Sequence, residues 1–235
     1  MSRTFDDARR WARLGTELIL KAADGIDDGA FAAPSALPGW SRAHVAAHVA
    51  ANAEALSNLV HWAATGEPTP MYASPEERAA GIERGRALPA AELAAWLRDS
   101  AEVLETGMAA LGEKQWHTPV VTAQGRTVPA TEVPWLRSRE VCVHAVDMAN
   151  GVSFVDLPPD FLAALGDDVA TKRAAAPGPA VILREPGGGA WELPGQGEAA
   201  LVDGALHDLA AYLTGRDASL LAADGTPAPT LGAWL

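Results

Sequence analysis

The sequence predicts an α+β protein, with a four-helix bundle over residues 1–155 and a small α+β domain over 156–235. Three observations lead there. Four long segments carry apolar side chains at helical spacing with loops between them. The run Leu157-Pro158-Pro159 then breaks the pattern as a linker would. Beyond it, two short apolar runs flank Pro186-Gly187-Gly188-Gly189, which is hairpin punctuation and not bundle sequence.

Thr4 to Ala23 is expected to be the first helix, with Thr4 and Asp7 placed as a capping box and Trp11, Leu14, Leu18 and Ala22 at helical spacing. Gly25, Gly29, Pro34 and Pro38 mark a loop that ends at Trp40. Ser41 is a good N-cap for a second helix, Ala43 to Thr65, stopped by Gly66. A crossing rich in Pro and Gly holds a short helix, Pro75 to Gly85. The third long helix spans Pro89 to Leu111, and Trp116 to Val128 is an extended or looped link. The fourth long helix is expected from Thr131 to Asn150, with Pro134 in its first turn and Gly151 past its end. Its inward face reads Val133, Leu136, Glu140, Val143, His144 and Asp147. In the second domain a helix over Asp160 to Ala175 precedes strands at Ala180 to Arg184, Ala190 to Leu193 and Ala199 to Val202, and a last helix covers Ala205 to Thr214.

Half of the chain is hydrophobic (49%), enough for a sizeable core. The net charge of −12 argues against nucleic acid, whose phosphates attract basic patches, and disfavours an anionic membrane. The single cysteine, Cys142, excludes an intrachain disulfide and suits a reducing compartment. The start, MSRTFDDARRW, lacks the apolar stretch of a signal peptide, and no apolar run reaches the roughly 18 residues of a spanning helix. A cytoplasmic protein with no nucleic-acid or membrane partner, acting as a monomer or weak homo-oligomer, is the expectation.

The residues that could carry chemistry centre on Arg139 to Met148. Glu140 and His144 are four apart and share one helix face, about one turn apart. Such a pair is often a weak surface contact. On an inward face, however, a carboxylate and an imidazole are costly unless paired or bound to metal. A third ligand has two candidates on the second helix, His44 and His48, which spacing alone does not separate. Asn52 follows on the same polar stripe, as a partner for a ligand or as a packed core amide. Two imidazoles and one carboxylate leave coordination positions open, as in catalytic sites; zinc is the default, and such a triad also suits Fe(II) or nickel. Cys142 faces away from the pair and reads as a buried structural thiol. Arg216, after Leu213-Thr214-Gly215, is either a cation at a helix C-terminus or an arginine for a substrate carboxylate.

Three stretches carry a family resemblance: Pro38-Gly39-Trp40-Ser41-Arg42 with His48, then Arg139-Glu140-Val141-Cys142-Val143-His144, and then Asp203-Gly204 through Asp208-Leu209-Ala210-Ala211-Tyr212-Leu213-Thr214-Gly215-Arg216. Together they resemble the mycothiol-dependent maleylpyruvate isomerase family, a DinB-like metal-binding bundle with a C-terminal sterol-carrier-like domain. The resemblance implies that His48, Glu140 and His144 ligate Zn²⁺, which favours His48 over His44 and leaves His44 and Asn52 as supporting residues read from the helix face. It also implies that the cofactor thiol is mycothiol and that Arg216 meets a small anionic substrate. Turning maleylpyruvate, or a related cis-enedioate, into its trans isomer needs temporary loss of a double bond. Conjugate addition of a thiolate, bond rotation and elimination would achieve that. The implied setting is aromatic degradation. Two alternatives share the site: a mycothiol S-transferase acting on an electrophile, and a non-catalytic ligand-binding member of the family. Arg84, Arg86, Arg126 and Arg139 are further candidates for the substrate's charge, with ordinary surface arginine as the favoured reading of each.

Overall fold

The computed structural model describes residues 3–186, 188–216, 219–232 and 234; Gly187 of the expected hairpin turn lies outside them. The chain divides into two compact units, Thr4–Val152 and the residues from Ser153 onward.

In the first unit, α1 (Phe5–Ala23) starts at the expected capping box: the Thr4 hydroxyl accepts from the Asp7 N–H and the Asp7 carboxylate accepts from the Thr4 N–H. A short α2 (Asp28–Ala32) lies within the expected loop. The long α3 (Arg42–Thr65) ends at Gly66 in the left-handed region, where glycine is unstrained. Then come α4 (Pro75–Gly85), α5 (Ala90–Ala110) and a single turn, α6 (Glu113–Trp116).

The expected extended or looped link holds a small antiparallel hairpin, β1 (Pro119–Val121) and β2 (Thr127–Pro129), turning through Gly125 at φ +76°. A 3₁₀ turn over Ala130–Glu132 leads into α7 (Val133–Asp147). That helix ends short of the expected Asn150. Ala149 takes φ +49° and breaks the helical path, and its carbonyl and that of Met148 each accept from the Arg42 guanidinium at 2.8 Å.

The helices α1, α3, α5 and α7 form the bundle. Leu56, Leu59, Leu104, Met108, Trp116, Val120 and Val133 share one apolar cluster, which roots the hairpin in the bundle core. The α7 helix is buried on more than the one expected face: Arg137 and Ser138 are buried beside Val141, Cys142 and Val143, whereas Leu136 is only partly covered. One cause is the close approach of α1. A β-carbon at Gly15 would stand 2.5 Å from Val141 Cγ2 and 2.9 Å from the Cys142 backbone nitrogen. Gly15→Ala is therefore expected to destabilise the bundle by roughly 1–3 kcal/mol, overcrowding outweighing the gain in helix propensity. Chemical denaturation measures this, and an unchanged midpoint would refute the close contact.

The second unit holds α8 (Pro159–Ala174), β3 (Pro179–Arg184), β4 (Ala190–Leu193), β5 (Gln196–Asp203) and α9 (Leu206–Leu213). Its sheet has the order β4-β3-β5, with β4 antiparallel and β5 parallel to β3. The Trp191 indole lies against Gly166 on α8 and donates to Asp167 Oδ1 at 2.8 Å. Among the described residues no helix is long and apolar enough to cross a membrane.

Candidate metal centre

The start of α3 explains why Pro38 to Arg42 has the residues it has. Gly39 sits at φ +78°, a conformation suited to glycine, and lets the chain turn so that the Trp40 N–H donates to the Leu37 carbonyl. The Ser41 hydroxyl caps α3, and His44 closes the box by accepting the Ser41 N–H at its Nδ1, at 3.0 Å. Arg42 ties this end of α3 to the carbonyls that follow α7. The Trp40 ring stacks on His44 and meets His48 edge-on, each at 5.8 Å between centroids. Together these contacts fix the first two turns of α3 against the last turns of α7.

His48 and Glu140 meet there. His48 Nε2 is 2.9 Å from Glu140 Oε2, and His144 Nε2 is 3.4 Å from the same oxygen. Each of the three residues offers one ligand atom, and these atoms lie within 4.8 Å of one another. On the far side of the ring, His144 Nδ1–H donates to Asp147 Oδ2 at 2.8 Å, and Asp147 is fully buried. A carboxylate on the second ring nitrogen fixes the tautomer that leaves Nε2 free for a metal. Two nitrogens, one carboxylate oxygen and this supporting carboxylate fit Zn²⁺, and three protein ligands leave a place for an exogenous one. Asp147→Asn is expected to weaken zinc binding by about 10–100-fold. Competition against a chromophoric chelator measures it, and wild-type affinity would show that Asp147 only packs.

The electrostatics hold two of the three residues, His48 and Glu140, in the form that binds a metal. Burial pushes the His48 imidazolium down, although Glu140 pulls the other way, so His48 is neutral near pH 7. Burial also works against charge on Glu140, but the bonds from His144 and His48 prevail and hold its carboxyl well below the usual range. For His144 the hydrogen bonds to Asp147 and Glu140 overcome burial and carry it up to about 9. A metal at this site would therefore displace a proton from the cluster.

The sequence candidates are placed as follows. His48, Glu140 and His144 come together. His44 is turned to the cap of α3, with its Nε2 3.6 Å from Glu83 Oε1. Asn52 reaches the site through a third residue: its Oδ1 accepts from Arg137 Nη1 at 3.1 Å. Cys142 is buried on the α1 side of α7, its Sγ 3.6 Å from the Trp11 carbonyl oxygen, and burial pushes its thiol up. Arg216 belongs to the second unit, just past α9. Its N–H donates to the Ala211 carbonyl and its Nη1 to the Thr214 carbonyl. Arg84 and Arg86 are exposed and paired with Glu77 and Glu83, but the surface reading of Arg139 is wrong. It is buried, with its guanidinium over the Trp135 ring.

Two residues near the site, Arg137 and Arg78, were missed. Arg137 is 2% exposed and donates from Nη1 to the Val49 carbonyl at 2.9 Å as well as to Asn52. Burial pushes its guanidinium down to about 10, so it still carries its charge at neutral pH. Arg78, on α4, brings Nη2 within 3.4 Å of His48 Nδ1, and its guanidinium lies 5.9 Å from the centre of the Tyr72 ring. A signal for Arg137 was present: Arg137, Glu140, His144 and Asp147 recur at three, four and three residues, one stripe along one helix.

Bundle and cluster together define a helical protein with a His/Glu/His set that could hold a metal ion. The model of the mycothiol maleylpyruvate isomerase N-terminal domain matches residues 12–149. A crystal structure of a mycothiol-dependent maleylpyruvate isomerase superposes with a TM-score of 0.93, at 35% identity over 99% of this chain and 98% of that one. A structure of a histidine-to-alanine mutant of such an isomerase matches to the same extent. No curated protein matches the sequence. The chain belongs to the mycothiol maleylpyruvate isomerase family.

Proposed function

We propose that the chain is a zinc-containing, mycothiol-dependent isomerase that converts maleylpyruvate, or a related cis-enedioate, to the trans isomer. The observation that carries this reading is the convergence of His48, Glu140 and His144 in a chain of this family. When bound, zinc would supply a Lewis acid that holds the cofactor thiol as a nucleophilic thiolate at neutral pH.

The chain's own residues prepare the site for that chemistry. His48 is neutral, Glu140 presents a charged oxygen, and Asp147 sets the His144 ring, whose proton a metal would displace. The thiol has to come from outside, because Cys142 is buried toward α1 and held protonated. Arg216 is proposed to bind a carboxylate of the anionic substrate, on the strength of the segment Leu213 to Arg216. A cytoplasmic setting, in which mycothiol stays reduced and Cys142 stays a thiol, completes the reading.

Zinc-loaded protein is incubated with maleylpyruvate and a substoichiometric amount of mycothiol, followed by proton NMR of the olefin and mass spectrometry of the thiol. Full conversion to the trans isomer with mycothiol recovered unchanged is expected. Stoichiometric consumption of mycothiol into an adduct would replace the isomerase reading with a transferase.

A further inference from the structure

The metal ligands alone do not explain Arg137. Its guanidinium is dry, one turn before Glu140 on α7, and Nη1 is spent on Val49 and Asn52 across the helix interface. Nη2 is buried and has no hydrogen-bond partner among the described residues. The hydrogen bonds of Arg137 go to two neutral acceptors and only the Glu140 charge offsets its burial, whereas an ordinary packing position would carry an apolar residue there. What the arginine adds is a fixed positive charge beside the cluster.

Counting charges shows what that does. Glu140 and Asp147 supply two negative charges and His48 and His144 none, so with a divalent ion the inner set is neutral. Arg137 leaves one positive charge over. Arg78 adds to it from α4, but is only partly buried and so more open to screening by solvent. An excess of one positive charge in a desolvated place favours a bound monoanion over its neutral form.

We propose that Arg137 is a positioning residue that acts through the metal centre: its buried charge favours an anionic sulfur ligand there and disfavours the bare metal ion. The inference rests on the zinc and mycothiol reading above. It assigns to a residue that touches neither ligand the choice between thiolate and thiol.

Charge and packing roles predict different signs. Arg137→Met removes the charge and keeps the length of the side chain. Calorimetric titration of mycothiol into the zinc-loaded variant is expected to give a Kd raised roughly tenfold, while chelator competition shows zinc held at least as tightly as in wild type. Arg137→Lys, which keeps the charge, is expected to stay near wild type in both. Arg137→Gln, which keeps a donor for Asn52 without the charge, gives the same comparison should the methionine variant fail to fold. Weakening of zinc and mycothiol together would mean that Arg137 only supports the fold. An unchanged mycothiol Kd in the methionine variant, or a lysine variant as impaired as the methionine one, would equally overturn the proposal. If wild-type protein binds mycothiol no better with zinc than without it, the underlying reading fails first, and that result is separate from any variant.

Discussion

Glu140→Gln is expected to yield a folded protein that purifies with almost no zinc and shows almost no isomerase activity. Glu140 is the one anionic member of the ligand set, and both histidine Nε2 atoms point at the same carboxylate oxygen. The amide keeps the shape but not the charge, and one of its two ends is a donor that faces the metal with a proton. Losing a partner that merely orients a ligand typically costs 10–100-fold in metal affinity, so losing a ligand should cost about 100-fold or more. His48→Ala and His144→Ala are expected to behave alike, since each removes one of three protein donors. Zinc per chain by elemental analysis, read beside turnover, checks this. Wild-type zinc content in any of the three would move the metal elsewhere.

The second large effect is expected at Arg216. Arg216→Ala should keep full zinc content and lose about 100-fold in turnover, the scale of removing one donor aimed at charge that develops during a reaction. Arg216→Lys should recover only part of this, because an ammonium cannot make the paired, planar contact of a guanidinium with a carboxylate. The separation from the Glu140 variant is the diagnostic point: one loses the metal, the other keeps it. Equal activity in Arg216→Ala would remove this arginine from catalysis.

What was readable in the sequence follows from which forces are local. Capping is local, so the starts of α1 and α3 at Thr4 and Ser41 are where the residues place them. Proline at the first turn and glycine near the end delimit α4 in the same way. The pairing of Glu140 with His144 is local too, one turn of one helix. The choice between His44 and His48 was not settled by spacing. Its structural reason is that His44 is the third residue after the cap and is used by Ser41.

The errors fall where tertiary packing decides. The fourth bundle helix stops early because Arg42, from another helix, holds the carbonyls after Met148 in a turn. The hairpin at Pro119 to Pro129 was read as a link, although its core residues Val120 and Val128 form strands because the bundle covers them. Arg137 went unnoticed and Arg139 was placed on the surface because arginine on a helix is normally solvated. Only the crowding of α1 against α7, set by Gly15, shows that this helix has no free face for Arg139 to occupy.

The central claim is that one site, made by His48, Glu140 and His144, needs both a metal and an external thiol to isomerise a cis-enedioate. Formation of the trans isomer from maleylpyruvate is measured in four preparations: zinc-loaded or zinc-stripped protein, each with and without mycothiol. Product above the uncatalysed rate is predicted only where zinc and mycothiol are both present. Isomerisation at full rate by the stripped protein, or by loaded protein without the thiol, would contradict it.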